Sequence, residues 1–352
     1  MLLATGLVAC SDAPVKVVGS SSSGLVFARV VGDDVDLARA RLEDGSVRTL
    51  FETPDRKEAW PYWSELARRL AFEVDSIGLG PSDLRLWVPN SGEEVPFTET
   101  RGRREGWAVW SATAPELAFA FVGPGNRSGI ALVDLAQGDA RLLASAQRQD
   151  FFLRPTFSPD GSRMVAQRRG PGGGGSNLWI LSRDAPPRRI THDPAWFDFK
   201  AWFTRNGRRI LYSRRPVAGG WHEIASIDPD GGDLRLHAQV PETDAHSARP
   251  SPVRDEFAFV SNRDNEVFDL YLEALAGGEL RNLSRTPDEH EFAPRWSPDG
   301  ELMVVTVAEE QFGMPRLNDL EGLAKAKIRV LDREGHVLFE TNGFMPDWMP
   351  AW

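Results

Sequence analysis

Pro-Arg-Trp-Ser-Pro-Asp-Gly, at Pro294–Gly300, decides the fold, because the chain repeats it at a nearly constant distance. The phrase stands as Pro-Tyr-Trp-Ser at Pro61–Ser64, Ala-Val-Trp-Ser at Ala108–Ser111 and Pro-Thr-Phe-Ser-Pro-Asp-Gly at Pro155–Gly161. It returns as Ala-Trp-Phe-Thr-Arg-Asn-Gly at Ala201–Gly207, as a degraded Arg-Pro-Ser-Pro at Arg249–Pro252, and as Pro-Asp-Trp-Met-Pro at Pro346–Pro350. Anchored on Trp63, Trp110, Phe157, Phe203, Pro250, Trp296 and Trp348, the steps are 47, 47, 46, 47, 46 and 52 residues. A period in the forties with one aromatic phrase per unit predicts a radial array of small sheets.

One unit shows the grammar. Arg154–Ser158 reads as a short strand, and Ser158-Pro159-Asp160-Gly161 as a turn, with Pro presetting φ and Gly accepting a positive φ. Met164–Gln167, Asn177–Ser182 and Arg188–Ile190 supply three more strands, which makes a four-stranded antiparallel blade. At the N-terminal end, Leu25–Val30, Asp36–Leu42 and Val47–Phe51 supply second, third and fourth strands with no phrase before them. The last phrase, around Trp348, has no strands after it. The economical reading is an all-β, seven-bladed β-propeller over residues 24–352, its ring closed by the C-terminal strand so that no sheet edge is left open.

The Trp-Ser-Pro-Asp-Gly phrase, followed by a hydrophobic strand and a third strand ending in Asp, resembles the TolB-like (WD-repeat-like) propeller repeat. Phe157–Gly161, Trp179–Ser182 and Trp296–Gly300 carry the likeness best. It implies an envelope protein that works through binding. Some seven-bladed relatives of this repeat are metal-dependent pectin-oligomer lyases, which supplies the alternative reading.

Hydrophobic residues at 41% suffice for a packed interior, whereas a net charge of -10 excludes a general nucleic-acid binder. The single cysteine, Cys10, follows Leu7-Val8-Ala9. That run resembles the lipobox of bacterial lipoproteins, which implies cleavage before Cys10, acylation of its thiol, and a partial signal over residues 1–9. Residues 10–23 then form a lipid-anchored flexible tether. No basic residue stands in Met1–Ala9, so the true start is expected upstream. The implied location is the periplasm-facing envelope, the outer membrane more than the inner.

A site is expected on the longer loops that join one blade to the next. The early ones carry Arg56, Lys57, Arg101, Arg103, Arg104, Arg148 and Arg154, and the late ones Glu242, Asp244, Asp288, Glu289 and Glu291. The mouth should therefore be basic on one side and acidic on the other. Trp60, Trp107, Trp196 and Trp221 fall in the same loops, where exposed aromatics anchor peptides or stack on sugars. Lys200, His246, His290 and Glu291 complete the expected partner-binding rim. His192, His246 and His290 sit one period apart near carboxylates and are candidate metal ligands, although any loop residue would show that spacing.

Gly172–Gly175 lacks a following Lys-Ser/Thr, and no Gly-x-Ser-x-Gly elbow exists, so no cofactor and no hydrolase chemistry are expected. The insertion Ala308–Ala326 should form a short helix over Asn318–Ala326. Its Phe312, Met314, Leu317, Leu320 and Leu323 are expected to dock on the rim. The leading reading is a monomeric, non-enzymatic, lipid-anchored propeller that binds an envelope protein or peptide. The alternative is a glycan-binding or metal-dependent lyase-like propeller using loop Trp and His.

Overall fold

The computed structural model describes residues 24–54, 56–75, 82–98, 102–146, 150–170, 175–309 and 319–350. Cys10 and the expected signal and tether over 1–23 lie outside the described residues. Each repeat unit forms an antiparallel meander. In one, His290–Trp296 lies innermost, followed by Leu302–Ala308, Lys327–Asp332 and Val337–Asn342. Every position of Leu302–Ala308 is buried, on both faces of its sheet, because each sheet is sandwiched between two neighbours. Successive units accordingly enclose an apolar cluster between them. Val165, Leu178 and Ile180 meet Phe203, Ile210 and Tyr212 in one, and Leu25, Phe27 and Ala38 meet Val304, Ile328 and Val330 in another.

The repeated phrase has a physical task at each position. In three copies the indole N–H crosses the seam to a backbone carbonyl of the preceding unit: Trp110 to Tyr62 at 2.8 Å, Trp296 to Arg249 at 2.9 Å, Trp348 to Arg295 at 3.1 Å. Trp63 Nε1 donates instead to Glu65 of its own turn at 3.1 Å. The Ser and Asp of the phrase shape the turn, where Ser158 Oγ donates to Asp160 at 2.6 Å and Gly161 N–H donates to the Ser158 carbonyl at 2.9 Å. Gly161 has φ +69°, and a Cβ there would stand 2.1 Å from Thr113 Oγ1, so the turn tip presses on the preceding unit.

Ring closure follows the expected scheme. Phe344–Met349 pairs antiparallel with Gly24–Val31, completing a sheet with Asp34–Arg41 and Val47–Thr49. The expectation of seven separate four-stranded blades is corrected. The structure has five four-stranded sheets and one sheet of eight strands, Phe151–Phe157 through Arg235–His237. The difference is local: one parallel pair, Ser176 with Phe197 of the next unit, joins two meanders into a single sheet, while Arg188–Arg189 pairs with Trp179 and Ile180. The aromatic at this seam is Phe203, which has no N–H. Here Thr156 Oγ1 instead donates to the Ala201 carbonyl at 2.9 Å.

A helix at Leu320–Lys325 is capped by Asp319, whose side chain accepts from Gly322 N at 3.2 Å. Its Leu323 is buried against the unit holding Met345, as docking required. Phe312, Met314 and Leu317 lie outside the described residues. Among the described residues no helix is long and apolar enough to cross a membrane.

Trp296→Phe keeps a ring at the seam but removes the donor to Arg249, a loss expected to cost about 1–2 kcal/mol. The urea midpoint should fall with unchanged slope. An unchanged midpoint would show that the indole bond contributes nothing.

Candidate functional site

Each inner strand carries a β-bulge at the same place. The register shifts between Ala59 and Tyr62, Gly106 and Val109, Leu153 and Thr156, Phe199 and Trp202, His246 and Arg249, and Phe292 and Arg295. The closing strand shows the same irregularity opposite Val26 and Ala28. At every bulge one residue adopts a left-handed backbone: Trp60, Trp107, Arg154, Lys200, Ser247, Ala293 and Met345, with φ between 48° and 59°. None is glycine, and each such residue costs roughly 1–2 kcal/mol of backbone strain. All seven line one central cavity of ≈ 680 Å³. The residues two places on, Tyr62, Val109, Thr156, Trp202, Arg249, Arg295 and Asp347, line it as well.

The cavity wall is divided by chemistry. Trp60, Trp63, Trp107 and Trp110 make one side aromatic. Arg154, Lys200, Arg249 and Arg295 bring four cations to the remainder, against one lining carboxylate, Asp347. Asp347 is already engaged, at 3.0 Å from Arg295 and accepting from Trp63 N at 2.8 Å. The Arg249 guanidinium lies 3.5 Å from the Trp202 ring centre and has no ion pair among the described residues. Lys200 Nζ donates to Ser247 Oγ at 2.8 Å. Burial, reinforced by Arg154 and Arg249, pushes the Lys200 amine down to about 7.

Behind the aromatic side, Glu73 accepts from Trp107 N at 2.7 Å and from the Tyr62 hydroxyl at 3.2 Å, and burial raises it to about 7. The carboxylate fits because Gly106 is bare; a Cβ there would stand 2.7 Å from Glu73 Oε2.

Of the residues expected on the rim, the structure brings Trp60, Trp107, Arg154, Lys200 and His246 to the cavity. Trp60, Trp107 and Trp196 lie within strands, not loops, because the inner strands begin earlier than their turns suggest. Trp196 packs under the Arg214 guanidinium at 3.6 Å, and Trp221 is a surface residue at 49% exposure; neither lines the cavity. His290 is buried, its Nδ1 accepting from Phe268 N at 3.1 Å.

Glu291 is wholly buried, paired with Arg329 at 3.2 Å and accepting from Ser284 at 3.0 Å, and burial pushes it up to about 8. It belongs to a set absent from the sequence-based expectation. Two residues before the left-handed position stand Glu58, Glu105, Asp198 and Glu291, all buried. They tie down the preceding loops: Thr53 and Arg56 bond to Glu58, and Arg103 lies 3.3 Å from Glu105. Of the expected acidic side of the mouth, Glu289 is held by Lys327 and Arg329, Asp244 by His222, and Glu291 by Arg329, while Glu242 and Asp288 are exposed.

The candidate metal ligands do not converge. His192 is exposed, His246 faces the cavity, and His290 stacks between Phe268 and Phe292. Among the described residues no group of three His, Cys, Asp or Glu could hold a metal ion. His246 joins instead an aromatic arc at the cavity, lying 5.6 Å from His222 and 4.9 Å from Phe268.

No family model matches the chain. Among curated proteins, the uncharacterized peptidase YuxL of Bacillus subtilis (strain 168) is 39% identical over 72 residues, covering 20% of this chain and 10% of that protein. Among solved structures, a puromycin hydrolase is similar with a TM-score of 0.67 at 16% identity, covering 93% of this chain and 53% of that one. An oligogalacturonate lyase in complex with manganese is similar with a TM-score of 0.62 at 15% identity, covering 81% and 82%. TolB from Acinetobacter baumannii is similar with a TM-score of 0.56 at 15% identity, covering 94% and 83%. The chain therefore spans a tenth of its curated relative and about half of the puromycin hydrolase.

At such identities the structural likenesses show the fold, and that fold is the expected TolB-like propeller. They also correct the expectation of a non-enzyme, which rested on missing catalytic motifs. The curated relative is described as a peptidase, and the fold is shared with a hydrolase and a lyase.

A Lys200 amine titrating near 7 is half neutral, and nucleophilic, at a pH where exposed lysines are fully charged. Acetylation by a water-soluble ester, followed residue by residue by mass spectrometry from pH 6 to 9, should show Lys200 reaching half its maximal rate near pH 7. Labelling that rises only in step with Lys325 would refute the lowered value.

Proposed function

We propose that this chain is a bacterial envelope protein whose propeller binds a peptide segment through its long-loop face, with the central cavity as the seat. The carrying observation is that every inner strand directs a strained, left-handed residue at a single cavity. Strain repeated at one position on an otherwise regular scaffold points to function. We count the ring as seven blades, dividing the eight-stranded sheet at its single parallel pair. A volume of ≈ 680 Å³ is in the range that encloses a drug-sized ligand, and an indole wall suits apolar side chains.

Likeness to peptidases supports a peptide over a glycan, and the dispersal of His192, His246 and His290 weighs against the metal-dependent lyase alternative. Peptide binding and enzymatic chemistry are not opposed in this reading, since the curated relative is described as a peptidase. Envelope placement rests on the likeness to TolB and on Cys10 as the point of lipid attachment.

Five of the protein's 12 tryptophans line the cavity, so binding can be followed by intrinsic fluorescence. Short peptides ending in an aromatic residue should quench it saturably, and Trp107→Ala should weaken binding about tenfold or more. Quenching by oligogalacturonate but by no peptide would replace this reading with the glycan alternative. The anchor is tested separately: Cys10→Ser, expressed from the native start, should move from the membrane fraction to the soluble one. Unchanged fractionation would remove the anchor from the proposal.

A further inference from the structure

The cavity's cations are more than the fold requires. The protein is strongly acidic overall, so four cations around one cavity do not follow from composition. Arg295 is accounted for by Asp347. Arg249 is not matched in this way: its guanidinium face stacks on Trp202, while a stacked guanidinium keeps its N–H edge for hydrogen bonding. Lys200 donates one bond to a neutral hydroxyl; a carboxylate bound beside it favours its protonated form, which has three donors. These two come from adjacent units, with Arg154 contributed by the unit before them. Arg154 and Lys200 occupy the strained left-handed position itself, which fixes their side chains on the cavity. Cations held together in a half-enclosed, aromatic-walled space repel one another, and an anion bound between them removes that cost.

Resting on the peptide reading above, we propose that Lys200 and Arg249, flanked by Arg154, form a carboxylate seat that receives the free C-terminus of the bound peptide. The opposite indoles of Trp60 and Trp107 take its terminal side chain. The ligand class is therefore a peptide with an unblocked α-carboxylate and a large apolar last residue. Ser247 Oγ, shared between Lys200 Nζ and His246 Nδ1 at 2.9 Å, orients the ammonium.

Calorimetric titration of the unmodified protein with Ala-Ala-Phe as the free acid and as its C-terminal amide tests the seat. The acid should bind about tenfold or more tighter than the amide, the usual scale of hydrogen bonds to a charged group. Its advantage should shrink with added salt. Lys200→Met and Arg249→Met should each reduce the ratio of acid to amide affinity, and the double variant should remove it, with circular dichroism confirming the fold.

Equal binding of acid and amide would overturn the seat and leave the peptide reading standing. Binding of neither would overturn both. The comparison of the two ligands on the unmodified protein decides the matter even where a variant fails to fold.

Discussion

The ring depends on each unit packing against the one before it, and at three seams a hydrogen bond to the preceding backbone crosses that contact. The donor is an indole N–H at Trp110, Trp296 and Trp348, each reaching a carbonyl of the preceding inner strand. Where the aromatic lacks a donor, the seam is joined by other means. At Phe203 it gains the Thr156 hydroxyl bond and the parallel pair of Ser176 with Phe197. At Pro250 it gains the Arg249 guanidinium over Trp202. The degraded copies of the phrase therefore mark seams held by a different interaction.

The same seams explain why cavity and scaffold are separable. The acceptor carbonyls belong to Tyr62, Arg249 and Arg295, residues whose side chains line the cavity. Backbone geometry there is shared by every unit, while the side chain is not restricted by it. One conformation thus presents Trp, Arg, Lys, Ser, Ala and Met around a single space.

Fold was largely legible in the sequence because the phrase repeats and its residues have local jobs: Gly161 needs its positive φ, and Ser158 and Asp160 close the turn. Ring closure was legible from unmatched strands at the two ends. The sheet count was not, since the single parallel pair of Ser176 with Phe197 carries no compositional mark. The site was half legible. Trp60, Trp107, Arg154, Lys200 and His246, expected on loops, line the cavity from strands, because a bulge occupied by Trp, Arg or Lys instead of Gly or Asn leaves no turn signature. Arg249 was missed, hidden inside a degraded phrase. The available signal was positional: each left-handed residue stands three places before its unit's anchor. His290 and Glu291 are buried, one between Phe268 and Phe292 and the other against Arg329, and of these partners only Phe292 is a sequence neighbour whose presence could be foreseen.

Closure by Phe344–Met349 has a mechanical consequence. That strand runs antiparallel to Gly24–Val31, and its last residue, Met349, sits opposite the first, Gly24. Tension applied between these two points would load the ladder one rung at a time, beginning with the outermost pair. The ring would then peel open at low force instead of shearing as a whole. The strand that seals the propeller is thus also the place where pulling would break it first.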